Sequence, residues 1–179
     1  MQLYDGLTTR RSVREFTDQV LDDKGLEKIV RAGMFAPSPH DTRPWRILTI
    51  RDHEKLEKLI PLSPWWNMLR QCQAAIVTCV DIRCAKGENS EKELMPVEFV
   101  IDGGIAATQN MLLAAHDMGL GAVWLGICQG SESYEEFCRI LGIPDYARVV
   151  SLIAVGYPDS EPNQEERFDP SKWIKETWK

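Results

Sequence analysis

Three arginines and a serine lie close together near the start of the chain: Arg10, Arg11, Ser12 and Arg14. Planar guanidinium groups donate paired hydrogen bonds to phosphate oxygens, and a serine hydroxyl adds a further donor. The spacing therefore favours a phosphate-binding segment. The alternative is a solvent-exposed basic helix end, because short runs of charge usually face water.

A second candidate is the proline-rich loop Ala36–Trp45, with the sequence APSPHDTRPW. Its prolines restrict the backbone, so the loop would present a rigid polar edge. The polar side chains on that edge would be Ser38, His40, Asp41 and Arg43. The alternative is a structural turn between a helix and a strand, with His40 exposed.

Two further candidates come later in the chain. Trp124-Leu125-Gly126 ends a predicted buried strand, a place where sheet proteins commonly bind ligands. A glycine there lets a backbone N–H approach a flat ligand closely. Arg167 is an isolated cation before FDPSKW. An ordinary turn and a surface arginine are the corresponding alternatives.

Length and composition limit the class of protein. The chain has 179 residues, enough for one domain, and its net charge of −6 does not favour binding to nucleic acid. The sequence has no apolar run that could span a membrane and no apolar signal core at its start, so we expect a cytoplasmic protein without membrane partners. The 5 cysteines contain no CxxC pair, which favours free thiols over disulfides or a zinc site.

The stretch from Met95 to Gly130 is the centre of the predicted fold. Its helix is apolar or small on nearly every side, which predicts burial nearly all round. A small protein covers such a helix poorly, which favours a dimer. Ala122–Leu125 is the core strand predicted to follow.

The remaining elements interleave helices and strands. Helices are predicted over Leu3–Thr9, after Asp22-Asp23, after an Asp52 cap, and after a capping box at Ser133 and Glu136. Strands are predicted over Trp45–Arg51, Gln73–Asp81 and Arg148–Val155. This order indicates an α+β fold with helices covering a mostly antiparallel or mixed sheet. Arg83–Glu93 is a predicted exposed loop or lid, and Trp65-Trp66 could cover a pocket or pack in the core.

In order and spacing, these pieces resemble the FMN-dependent nitroreductase family over nearly the whole chain. The matching segments are RRSVREF, APSPHDTRPWRI, DGGIAATQNMLLAAHDMGLGAVWLG, VSLIAVGYP and the arginine before FDPSKW. The resemblance implies a nitroreductase-like α+β fold, with residues 1–179 as a single domain. It also implies an intertwined homodimer with FMN at the subunit interface, in which the C-terminal tail, residues 159–179, wraps the partner subunit.

The resemblance also implies which residues bind the cofactor. The phosphate would be held by Arg10, Arg11, Ser12 and Arg167, and Arg14 would lie near flavin N1 and the C2 carbonyl. The partner's flavin would be lined by Pro37, Ser38, Pro39, His40 and Arg43, and backbone contact to flavin N5 would come from Leu125 and Gly126. Asp41 is left out, because an anion there would repel the reduced flavin unless Arg14 or Arg43 neutralises it.

The implied activity is that of an NAD(P)H-dependent flavin oxidoreductase. It would move two electrons from NAD(P)H through flavin N5 to an electron-poor small molecule, such as a nitroaromatic or a quinone, by a ping-pong mechanism, with neither a catalytic side chain nor a metal. Three alternatives stay open: a flavin-binding sensor or carrier, another flavin chemistry such as dehalogenation or enone reduction, and a flavin-free module whose arginines bind an acidic partner.

Overall fold

A computed structural model describes residues 2–86 and 94–178. The helices are α1 (Leu3–Thr9), α2 (Asp23–Met34), α3 (His53–Leu59), α4 (Val97–Asp117) and α5 (Glu132–Leu141). The strands are β1 (Trp45–Ile50), β2 (Ala74–Asp81), β3 (Gly121–Leu125) and β4 (Ala147–Gly156). These elements confirm the predicted α+β class, and none of the helices in the described ranges has the length and hydropathy needed to cross a membrane.

The four strands form one antiparallel sheet in the order β1-β2-β4-β3. Every residue of β2 is buried, as its uninterrupted apolar sequence predicted. β3 is at the edge of the sheet, and the segment after α1 runs along it. Ser12 forms a parallel bridge to Ala122, and the Val13 N–H donates to the Ala122 carbonyl at 3.0 Å. Gly121 permits this approach, because a Cβ atom there would lie 2.6 Å from a methyl carbon of Val13.

Helix α4 packs closely on one face of the sheet. A Cβ atom at Gly104 would lie 2.6 Å from a methyl carbon of Val80, so only glycine lets the helix come so near. The buried Thr108 hydroxyl contacts the Ser151 hydroxyl at 2.9 Å and donates to the Gly104 carbonyl at 2.8 Å. Helices α3 and α5 cover the other face, where Trp66 meets Phe137 edge to face at 5.7 Å.

Within one chain α4 is not buried on all sides, since Phe99 is 51% exposed and Ile105 is 42% exposed. Its burial nearly all round, which favoured a dimer, therefore stays a prediction. One prediction about a helix start was wrong. The Ser133–Glu136 capping box does not form. Ser131 caps α5 instead, its side chain accepting from the Tyr134 N–H, and Ser133 lies in the first turn. Only Ser133 has a glutamate three residues later, but either serine can accept a backbone N–H, and the turn that precedes α5 decides between them.

Other local predictions were confirmed. Asp22 and Asp52 cap α2 and α3 through their side chains. The predicted loop or lid, Arg83–Glu93, begins inside a short 3-10 turn, Ile82–Ala85, and residues 87–93 lie outside the described residues. The tail from residue 159 to residue 178 is irregular apart from the 3-10 turn Pro170–Lys172.

Candidate functional site

The edge of β3 carries two cavities, one at each end of the segment that runs along it. The first, here called the guanidinium cavity, has a volume of about 340 Å³ and is lined by Arg10, Arg11, Val13, His116 and Ala122, among others. The second, the tryptophan cavity, has a volume of about 560 Å³. Its lining includes Arg14, Trp65, Trp124, Leu125 and Gly126. The parallel bridge at Ser12 sets this order, so Arg10 and Arg14 lie toward opposite ends of the β3 edge. The two cavities along this edge are together called the groove below.

Two arginines line the guanidinium cavity, and Glu161 of the tail also lines it. Arg10 is half-buried, and its side chain has neither an ion pair nor a hydrogen bond within residues 2–86 and 94–178. Burial lowers the pKa of Arg10, and the nearby cations of Arg167 and Arg11 lower it further. A half-buried guanidinium with two other cations nearby is a group that a bound anion would stabilise. The structure therefore brings together three of the four residues assigned to a phosphate.

Arg11 also fastens the C-terminal tail to this cavity. Its Nη atoms donate to the Thr8 and Arg10 carbonyls at 2.7 and 2.9 Å and to the Glu165 carbonyl at 2.7 Å. Its Nε is buried with no hydrogen-bond partner among the described atoms. A buried donor without an acceptor is costly, so a ligand oxygen at this point would satisfy it.

Ser12 acts through its backbone in this chain. It bridges to Ala122, and it is not part of the lining of the guanidinium cavity, so the role of its hydroxyl stays a prediction.

The tryptophan cavity has one cation and a largely apolar wall. Arg14 is exposed at its side, and β3 ends beside it at Leu125. A Cβ atom at Gly126 would meet nothing within 4 Å, so the described chain leaves space there for a ligand. The two adjacent tryptophans have different places: Trp66 is 2% exposed in the core, whereas Trp65 is 78% exposed on the cavity wall.

The proline-rich loop lies away from this groove within one chain. Pro37, Ser38 and Pro39 line a third cavity of about 460 Å³ with Phe99 and other residues of α4, and it shares no lining residue with the other two. The single chain therefore does not bring the loop to the arginines.

The end of this loop has an unusual backbone. His40, Asp41 and Arg43 have φ angles of 49°, 53° and 47°, in the left-handed region that non-glycine residues rarely adopt. Such conformations cluster at binding sites, where they fix the direction of a side chain. The Arg43 guanidinium donates to both Asp41 carboxylate oxygens, at 2.9 and 2.6 Å, and this hydrogen bonding lowers the pKa of Asp41. Arg43 thus supplies the neutralisation that an anion beside a flavin would require.

Known proteins are similar to this chain over most of its length. The family model described as "Nitroreductase family" matches residues 7–67 and 62–157. An Archaeoglobus fulgidus protein named "Putative NADH dehydrogenase/NAD(P)H nitroreductase" is 36% identical over 173 residues, which are 95% of each chain. The chain belongs to the Nitroreductase family.

Solved structures of other proteins of this kind agree with the fold. One from Parabacteroides distasonis, which carries the same name as the Archaeoglobus protein, is 30% identical with a TM-score of 0.86 over 98% of both chains. Another, from Desulfovibrio desulfuricans and named "putative nitroreductase in complex with fmn", is 27% identical with a TM-score of 0.81. It covers 99% of this chain and 98% of its own. The predicted family and fold are confirmed.

Sequence reasoning missed His116 as a residue of the site. Its helical spacing from Leu112 placed it on an inner side of α4, and both residues line the guanidinium cavity. The sequence contained no signal that this side would meet the end of α1, because the contact of His116 with Thr9 joins residues 107 positions apart.

Proposed function

We propose that this chain is an FMN-dependent oxidoreductase that moves two electrons from NAD(P)H to a small electron-poor acceptor. The observation that carries the proposal is the groove along β3. One end is lined by Arg10 and Arg11, with Arg167 nearby and Glu161 also in the lining, and the other end is a larger cavity lined by Arg14. An elongated molecule with a phosphate at one end and a planar ring at the other has this distribution of charge.

The residues along the groove fit such a molecule. Arg10 and Arg11, with Arg167 nearby, would hold the phosphate, and the unpartnered Nε of Arg11 would gain an acceptor. Arg14 would place a positive charge beside the ring, which favours extra electron density there. Leu125 and the open space at Gly126 would allow the main chain to contact the ring edge.

Bound FMN supplies the electron-transfer chemistry, and the chain holds the reactants in place. No side chain is needed as a nucleophile, because the groups around the tryptophan cavity bind and orient. His40 is exposed on the proline-rich loop and would contact substrate at most. The exposed indole of Trp65 favours a flat aromatic acceptor, such as a nitroaromatic or a quinone, on the open side of the cavity.

We further propose that the site is completed in a homodimer. Helix α4 exposes Phe99 and Ile105, and the adjacent third cavity is bordered by Pro37, Ser38 and Pro39. Such an apolar surface is typical of a protein interface. A second copy packed there would bring its loop, with His40 and the Arg43–Asp41 pair, to the groove of the first.

The C-terminal tail would belong to the same interface. We propose one domain over residues 1–179, in which residues 159–179 extend onto the partner. Phe168, Trp173 and Trp178 are 65, 62 and 87% exposed in the single chain, which is more apolar surface than a free tail usually carries. Sedimentation should therefore give twice the mass of the chain, and a purely monomeric protein would contradict this assembly.

Spectroscopy and kinetics test the activity. The purified protein, or apoprotein mixed with FMN, should show flavin bands near ~375 and ~450 nm, which NADH or NADPH should bleach without oxygen and an added quinone or nitrofuran should restore. Binding of FMN without reduction would indicate a sensor or carrier. A colourless protein that FMN cannot reconstitute would contradict the proposal.

A further inference from the structure

His116 is a titratable group in the guanidinium cavity that the proposed function does not use. It lies in the last turn of α4 and is half-buried. Its Nε2 atom is 2.8 Å from the Thr9 Oγ1 atom, which joins α4 to the end of α1. The imidazole lines the same cavity as Arg10 and Arg11.

The charges around His116 come from three parts of the chain. Arg10 and Arg11 face it from the segment after α1, Asp117 is its neighbour on α4, and Glu161 lines the cavity from the tail. Burial lowers the pKa of His116, Arg10 and Arg11 lower it further, and Asp117 raises it. In the ligand-free chain the imidazole is therefore neutral near pH 7.

We infer that His116 is a binding residue for the phosphate group of the flavin and takes up a proton from solvent when that phosphate binds. The inference rests on the proposed function, since it assigns the guanidinium cavity to a phosphate. The only chemical change is the transfer of one proton from solvent to the imidazole, which then becomes a third cation beside the two arginines.

The charges around His116 determine the direction in which a bound phosphate shifts its pKa. A phosphate dianion neutralises the repulsion from Arg10 and Arg11 and adds an attraction, and both raise the pKa of the imidazole. An opposite charge at short range shifts a pKa by about 1–3 units. The carbonyl end of α4 also favours a cation in its last turn. Affinity for FMN should therefore increase as the pH falls from the bound-state pKa of His116 to its free-state pKa, whereas affinity for riboflavin should not.

The test compares two flavins and three proteins. Dissociation constants of FMN and of riboflavin are measured by fluorescence quenching between pH 5.5 and 8.5. The proteins are the wild type, His116→Gln and the control His53→Gln. Glutamine can still hydrogen-bond to Thr9 but does not titrate. The pH dependence of FMN binding by His116→Gln therefore gives the contribution of the phosphate's own titration. His53 is exposed at the start of α3, away from both cavities.

As the pH falls across this range, the FMN affinity of the wild type should increase relative to that of His116→Gln by about tenfold. This factor corresponds to a one-unit shift in the pKa of His116. The riboflavin constants should not separate, and His53→Gln should follow the wild type. FMN constants of the wild type and His116→Gln that coincide at every pH would overturn the inference while leaving the proposed function intact. A wild type that binds no FMN would instead remove the proposed function.

A second measurement uses only the wild type, so its result does not depend on whether His116→Gln folds correctly. The imidazole ¹⁵N signals of His116 are followed by NMR against pH with FMN and with riboflavin. The pKa of His116 should be higher with FMN by about one unit. Equal values with the two flavins would overturn the inference.

Discussion

The substitution Arg10→Met distinguishes a role of Arg10 in ligand binding from a role in the stability of the fold. In the free chain the Arg10 guanidinium is half-buried, beside Arg11 and Arg167, and has no partner in the described residues. Methionine keeps much of the apolar stem and removes the charge. The free energy of unfolding of the apoprotein should therefore stay the same or rise, because a repulsive, desolvated charge is lost.

Binding of the flavin should respond in the opposite direction. A hydrogen bond to a charged group contributes about 1.5–3 kcal/mol, so Arg10→Met should weaken FMN binding by about 10- to 150-fold. Riboflavin binding should change by less than about threefold, since its affinity does not depend on the phosphate. Isothermal titration with both flavins gives the binding constants, and urea denaturation of the apoprotein gives the stability.

The matched control is Arg31→Met, which removes the same charge from an exposed position on α2. It should leave both flavin constants unchanged. The reasoning is refuted if Arg10→Met binds FMN as tightly as the wild type. It is also refuted if the apoprotein loses stability while the ratio of FMN to riboflavin affinity stays constant, because Arg10 would then be a structural residue.

Three further predictions follow from the same structure. Trp66→Ala should destabilise the protein by about 3–5 kcal/mol in urea, and Trp65→Ala by less than about 0.5 kcal/mol; similar losses would contradict their different burial. Burial raises the pKa values of Cys72 and Cys79 to about 12, so iodoacetamide at pH 8 should label the exposed Cys128 and leave these two unmodified by mass spectrometry. Hydrogen bonds from Arg83 hold the pKa of Asp81 below its usual value, so Asp81 stabilises the fold above about pH 4 and loses this effect as the pH falls. The wild type should exceed Asp81→Asn in unfolding free energy by about 1 kcal/mol at pH 7, and a difference that does not shrink below pH 4 would exclude this ion pair as its cause.

Most of the helices and strands could be predicted from local sequence patterns. Asp22 and Asp52 cap their helices as expected, and the apolar sequence of β2 identified a strand buried on both faces. These features depend on residues near one another in sequence. The Ser133 cap failed because two serines offered the same chemistry, and the turn geometry before α5 selected Ser131.

Contacts between distant segments could not be predicted in the same way. The two tryptophans at positions 65 and 66 are identical in type, and tertiary packing, which includes the contact of Trp66 with Phe137 from α5, decides which of them is buried. His116 reached the site through a contact with Thr9, far away in the chain. The arginines were identified because their chemistry is unusual in an acidic protein, while their convergence with Arg167 depends on the path of the tail.

The exposed face of α4 shows which part of a burial prediction a sequence leaves open. Its apolar sequence predicted a covered helix, and in one chain Phe99 and Ile105 remain exposed. The apolar pattern indicates that the helix is covered by other protein surface. It does not indicate whether that surface belongs to the same chain or to a second copy.

A crystal structure of the protein grown with FMN tests the central claim most directly. The account predicts the phosphate within hydrogen-bond distance of Arg10 and Arg11, the ring beside Arg14 and Gly126, and Pro37–Pro39 of a second copy against that ring. A flavin bound elsewhere, or a phosphate end that contacts neither Arg10 nor Arg11, would contradict it.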